Sequence, residues 1–180
     1  MYYCILAEGF EEIEALTVTD VLRRAGVSVK NASVSGEYVT GAHGITVKSD
    51  CLVKDALAAK DAEGVILPGG MPGTINIKES AEAKTLIKEA FEKGLLTAAI
   101  CAAPSVLGEM GVLSGKRCTC YPGFEDKLKG GILSDEKVVA DGNVITSRGP
   151  GTALLFALEL VRHITGKDTG ALSEQMIFSL

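Results

Sequence analysis

The chain has 180 residues, 47% of them hydrophobic and 23% charged, with a formal net charge of −5. That length predicts a single domain over residues 1–180 with a full hydrophobic core. The acidic balance gives no electrostatic footprint for nucleic acid, and no run approaches the roughly 18 apolar residues of a membrane span.

The N-terminus has no basic lead-in and reaches Glu8 at once. It reads as a first strand over residues 2–7, not as a signal peptide. Residues 11–25 are predicted as a helix, with Ile13, Leu16, Val21 and Leu22 roughly on one side. Acidic residues occupy its first turn, Arg23 and Arg24 its last, and Gly26 stops it. Residues 27–34 form a second strand, and residues 37–48 a hairpin around Gly41-Ala42-His43-Gly44. A short buried strand over 64–67 ends in Pro68-Gly69-Gly70. An amphipathic helix covers 80–93, and the strand that follows runs straight into Cys101-Ala102-Ala103-Pro104 and a further helix. Residues 116–120 read as another strand. Residues 137–140 and 143–146 flank Asp141-Gly142, a strong hairpin signal. The last long helix spans 152–165 and stops at Gly166. This strand–helix alternation predicts an α/β sandwich of three layers, a mostly parallel sheet with helices on both faces.

In such sheets, ligands bind at the carboxyl ends of the strands. Four ends carry unusual residues: the Glu8–Glu14 stretch, Pro68-Gly69-Gly70, Cys101, and Ser147-Arg148-Gly149-Pro150-Gly151. If those four strands are parallel neighbours, the ends converge on one site. Cys101 sits where a strand turns sharply into a helix, the place for a strained, exposed nucleophile. Ala102 and Ala103 leave room for the fold-back, and Pro104 suits a first helical turn. The other reading of Cys101 is a small buried core residue.

Glu14 lies one turn into the first helix. It is either a solvated helix-face carboxylate or, if it faces Cys101, half of a pair that shares one proton. A helix dipole contributes about 0.3–1 kcal/mol, up to about 2. That brings a free thiol from about 8.5 to about 7. A charge-assisted hydrogen bond from protonated Glu14, worth about 1.5–3 kcal/mol, would carry it to about 5–6. Such a thiolate attacks a small carbonyl compound, or is oxidised by peroxide to a sulfinate.

The ordered set Glu11-Glu12-Ile13-Glu14, Leu67-Pro68-Gly69-Gly70, Ala99-Ile100-Cys101-Ala102 and Thr146-Ser147-Arg148-Gly149-Pro150-Gly151 resembles the ThiJ/PfpI superfamily, in the branch of the human parkinsonism-associated protein. The likeness covers nearly the whole chain. It implies a flavodoxin-like fold, a homodimer, no cofactor, a reactive Cys101 and an acidic partner in Glu14. It implies that the Gly70 and Ala102 amides face the cysteine. Arg24, His43 and Pro150 fall where the family's neighbouring subunit approaches. The implied activities are glyoxalase or deglycase chemistry on methylglyoxal-type 2-oxoaldehydes or their adducts, and oxidative-stress sensing with chaperone activity. The superfamily's name also preserves a thiazole-phosphate label. However, Pro68-Gly69-Gly70-Met71-Pro72-Gly73 lacks the Lys-Ser/Thr of a phosphate-binding loop.

Two positions depart from the pattern. Tyr121-Pro122 stands where the branch usually has His-Pro, leaving Tyr121 to orient a substrate oxygen. Ala102 stands where the protease-like branch has His, which argues against a peptidase. A glutaminase would need a downstream His-x-Glu, which is absent. His163 reads as a solvated helix-end residue and His43 as a hairpin tip. Five cysteines without a C-x-x-C and only two histidines predict no metal site and no disulfide framework, and point to a reducing cytoplasm. Cys4, Cys118 and Cys120 are expected to pack as small hydrophobes in strands, and Cys51 to be partly exposed. Arg148 either holds an anion or caps the Gly149-Pro150-Gly151 turn.

Overall fold

The computed structural model describes residues 1–179; Leu180, the last residue of the predicted domain, lies outside them. From the N-terminus, β1 (Tyr2–Leu6) leads into α1 (Glu12–Arg24), β2 (Val29–Ser33) and a hairpin of β3 (Tyr38–Thr40) and β4 (Thr46–Lys48). There follow β5 (Cys51–Leu52), α2 (Val53–Ala59), β6 (Gly64–Leu67), α3 (Gly73–Glu79) and α4 (Ala81–Glu92). Next come β7 (Leu96–Ile100), α5 (Pro104–Glu109), β8 (Arg117–Cys118) and β9 (Ile132–Leu133). The chain continues through β10 (Val138–Asp141), β11 (Val144–Ser147), α6 (Ala153–Thr165) and α7 (Gly170–Gln175).

Seven strands form one sheet in the order β10-β11-β7-β6-β1-β2-β5, parallel throughout except for β10. Strands β6, β7 and β11 are buried along their whole length, as expected of parallel strands covered on both faces. Val18, Leu22, Phe156 and Leu160 of α1 and α6 fill one face. Ala83, Ile87, Val106 and Leu107 of α4 and α5 fill the other. This is the three-layer, flavodoxin-like arrangement that the sequence predicts. The chain runs from β1 outward through β2 to β5, then returns to β6 and runs the other way through β7 to β11. The direction reverses between β1 and β6, which opens the crevice where ligands bind in such sheets. The four suspected strand ends belong to β1, β6, β7 and β11, and these are consecutive parallel neighbours.

Several elements differ from expectation. The predicted strand over 116–120 shrinks to Arg117–Cys118, which pairs in parallel with β9 and stays outside the large sheet. The Thr119 amide leaves that ladder to donate to Thr146 Oγ1 at 2.9 Å, so Cys120 is buried but not in a strand. Helices α2, α3 and α7, of six or seven residues each, are too short to show a 3.6-residue period. The largest correction concerns α1. Ile13 and Leu16 are exposed, at 55% and 37%, while Glu12 and Glu14 are buried. The inward stripe runs through Glu14, Val18, Val21 and Leu22. A carboxylate can hold such a position only with hydrogen-bond partners, and here both have them.

Candidate active site

Cys101 connects β7 to α5 with φ +66°, a left-handed conformation that a non-glycine residue holds at a cost of about 1–3 kcal/mol. The strain is held from both sides. The Cys101 amide donates to Ser147 O at 3.0 Å, and the Tyr121 amide donates to Cys101 O at 2.8 Å. Pro104 opens α5 at its first turn, as the sequence predicts.

Glu14 reaches the same point from the opposite side of the crevice and is 1% exposed. The Gly69 amide donates to Glu14 Oε2 at 2.7 Å, and the Glu11 amide donates to Gly69 O at 3.0 Å. The start of α1 is thus stitched to the end of β6. Gly69 itself is required by space: a Cβ there would stand 2.7 Å from Cys101 Cβ and 2.9 Å from Glu14 Oε2. The other oxygen, Glu14 Oε1, is buried with no hydrogen-bond partner among the described residues.

Burial pushes Glu14 up to about 7, against the pull of the Gly69 amide and the Cys101 thiol. Burial and the Glu14 charge push Cys101 up to about 12, with the Ala102 and Gly70 amides pulling the other way. This is the thiol beside an ionised Glu14; the expected value of about 5–6 belongs to the other state, in which Glu14 is protonated and donates to the sulfur. Both shifts have one meaning: near neutral pH the two groups carry at most one negative charge between them. The thiolate forms when its proton passes to Glu14. Protonation removes the carboxylate charge that raises the thiol and turns Glu14 into a hydrogen-bond donor.

Tyr121 forms a wall of this site. Its half-exposed ring lies 3.1 Å from where a Gly149 Cβ would be, and that same point is 4.0 Å from Cys101 Sγ. The structure therefore brings Cys101, Glu14, Gly70, Ala102 and Tyr121 together. Arg148 does not bond the Gly149-Pro150-Gly151 turn: its amide donates to Lys137 O at 3.3 Å, and its guanidinium donates to Asp135 O at 3.3 Å. Arg24 pairs with Asp20 on the outer face of α1. Pro150 begins the short turn that leads into α6. Cys4, Cys118 and Cys120 are buried and Cys51 is partly exposed, as expected.

One cluster escaped the sequence reading. Glu12 accepts from the His43 amide at 2.7 Å and from the Ile45 amide at 3.4 Å, and its other oxygen lies 2.8 Å from His43 Nδ1. This clamp ties the β3–β4 hairpin to the start of α1. Glu11, Glu12 and His43 are also the described residues whose donor atoms come within 4.8 Å of one another. The Glu12 oxygens are already engaged by the hairpin. The partners lie 31 residues apart, and no local pattern signals the contact. Cavities of similar size lie away from Cys101: one of about 520 Å3 beside Met1, Gly26 and Ile164, one of about 500 Å3 beside Val138, Leu155 and Leu158, and one of about 480 Å3 beside Lys84, Lys88 and Phe91.

A model described as the DJ-1/PfpI family matches residues 2–163. This chain belongs to the DJ-1/PfpI family. It is 42% identical over 167 residues to Protein dj-1beta of Drosophila melanogaster, covering 91% of this chain and 89% of that one. It is 39% identical over 163 residues to the glutathione-independent glyoxalase DJR-1.2 of Caenorhabditis elegans, covering 89% and 86%. The structure of oxidized Toxoplasma gondii DJ-1 superimposes with a TM-score of 0.94 at 34% identity, over 99% of this chain and 98% of that one. Among the described residues, no helix of this DJ-1/PfpI chain is long and apolar enough to cross a membrane.

Proposed function

We propose that this chain is a cysteine-dependent glyoxalase or deglycase acting on methylglyoxal-type 2-oxoaldehydes or their adducts. The carrying observation is the Glu14–Cys101 pair, one carboxyl oxygen held by Gly69 and the other unpartnered beside a strained cysteine. Cys101 Sγ, as thiolate, adds to the aldehyde carbon, and Glu14 delivers its proton to the oxygen that gains charge. The Glu14 carboxylate then takes the proton from that carbon, and the neighbouring carbonyl carbon receives a proton in turn. One carbon is oxidised and the other reduced, so the sequence balances with water alone. Water hydrolyses the resulting thioester to a 2-hydroxy acid and frees the thiol. The Gly70 and Ala102 amides stabilise negative charge at the sulfur or the oxyanion, and Tyr121 orients a substrate oxygen. The named activity of the C. elegans relative supports this reading.

Steady-state assay with methylglyoxal, in preparations free of contaminating glyoxalases, tests it. Wild type should turn over and Cys101→Ser should not. Equal rates for the two proteins would refute the mechanism.

A second reading is a redox sensor and chaperone. The sulfur stands among two amides and a carboxyl group that can equally hold a sulfinate, and a close structural relative is described as oxidized. In that reading each of two peroxide molecules delivers one oxygen to the sulfur and leaves as water. Oxidation at Cys101 without turnover would favour it.

We also propose a homodimer. Ile13 and Leu16 stand exposed on α1, on a helix whose other face is fully packed, and a second copy would cover them. In this arrangement Arg24, His43 and Pro150 approach the partner's site. Sedimentation at micromolar concentration should give about twice the chain mass of 18.8 kDa.

A further inference from the structure

The left-handed Cys101 peptide is held by Ser147 O, and Ser147 is itself held by an uninterrupted hydrogen-bond chain. Ser147 Oγ lies 2.8 Å from Lys137 O, which can only accept, so the serine proton points there. Thr152 Oγ1 lies 2.7 Å from Ser147 Oγ and 2.9 Å from Gly149 O, so its one proton serves both acceptors. Thr152 Oγ1 in turn accepts from the Gly149 amide at 3.1 Å. The contacts therefore run without a gap from the Gly149 peptide through Thr152 and Ser147 to the Lys137 carbonyl. Each bond polarises the next. Ser147 is fully buried, and the Thr152 amide closes the turn by donating to Gly149 O at 2.8 Å.

The two backbone points that this chain fixes are those that bracket Cys101. Ser147 supplies the acceptor for the Cys101 amide, and Gly149 stands against Tyr121 near Cys101 Sγ. We propose that Thr152 and Ser147 are positioning residues. Their hydroxyl chain holds the end of β11 in place, and so keeps the Cys101 sulfur under the Ala102 and Gly70 amides. Neither hydroxyl acts on substrate. The proposal deepens the catalytic reading above, since the site it positions is the one assigned there, but its test does not depend on turnover.

The test is the rate of Cys101 alkylation by iodoacetamide across pH, read by mass spectrometry at that residue, in wild type, Thr152→Val and Thr152→Ser. Valine keeps the shape and removes the chain; serine restores the hydroxyl. Misplacing a reacting group by an ångström costs up to about 100-fold. Thr152→Val is therefore expected to slow alkylation at neutral pH by roughly 10-fold and to raise the midpoint of the pH profile by about one unit. Thr152→Ser should return both to within about 2-fold of wild type. A valine variant with wild-type rate and profile overturns the proposal. So does a serine variant as slow as valine, since the restored hydroxyl would then fail to restore the rate. Should Thr152→Val fail to fold, Ser147→Ala interrupts the same chain and is read in the same way. If wild type shows no turnover of methylglyoxal while the alkylation pattern holds, the catalytic reading falls and the positioning role stands.

Discussion

Glu12 and Glu14 lie two residues apart in the first turn of one helix, and both are almost fully buried. They have opposite characters. Glu12 turns toward the hairpin and receives two amides and the His43 ring; burial raises it, but these donors outweigh burial and hold it below the usual carboxylate range. Glu14 turns toward the strand ends, receives the single Gly69 amide, keeps one oxygen unpartnered and is raised to about 7. Low exposure alone therefore does not mark a functional carboxylate; depth beneath the surface together with the donors received separates a structural clamp from a group that can exchange a proton near neutral pH.

The comparison breaks most visibly in catalysis. On the proposed mechanism, Glu14→Gln should lower turnover of methylglyoxal by about 10²–10⁴-fold, the range for loss of a general acid–base group. Glu12→Gln should stay close to wild type in the same assay. Comparable losses in both variants would erase the distinction.

Stability sharpens it. A carboxyl group raised from 4.5 to about 7 on folding favours the folded state while protonated, and that contribution is lost as pH rises from 4.5 through 7. Glu14→Gln should therefore gain stability over wild type on going from pH 4 to pH 8, by up to about 3 kcal/mol in denaturant unfolding. The opposite sign is expected at Glu12. Glu12→Ala strands the His43 and Ile45 amides and should destabilise by about 1–3 kcal/mol, with a larger deficit above the carboxylate range than below it.

The smallest effect is at His43. Its exposed ring is raised from 6.5 by the hydrogen bond to Glu12 and by the charges of Glu11 and Glu12. Its contribution is complete below pH 6.5 and fades as pH rises through the higher folded value. His43→Ala should flatten the stability curve in that window. An unchanged curve would show that the clamp works through the His43 backbone amide alone.

Parts of this arrangement are legible in the sequence. The elbow at Cys101 is readable because a fully apolar strand runs into Cys-Ala-Ala-Pro, a local pattern with a local cause. The convergence of four strand ends follows from βαβ alternation once the strands are parallel neighbours. The orientation of α1 was not legible from its apolar residues. Ile13 and Leu16 suggest a packed face, whereas the packed face carries two glutamates whose partners lie 31 and 55 residues away. The upward push on the thiol is hidden for the same reason, because desolvation depends on what closes over the sulfur. The Ser147–Thr152 chain hides inside a motif that is conspicuous for its glycines and proline.

The central claim is that Glu14 and Cys101 exchange a proton and carry at most one negative charge between them near neutral pH, and the Glu14 carboxyl carbon reports it most directly. An NMR titration of that carbon, assigned through Glu14→Gln, should show a midpoint at about 7. In Cys101→Ala the midpoint should move up, because the thiol that pulls Glu14 down is gone. A Glu14 midpoint near 4.5, the same with and without the Cys101 sulfur, would contradict the account.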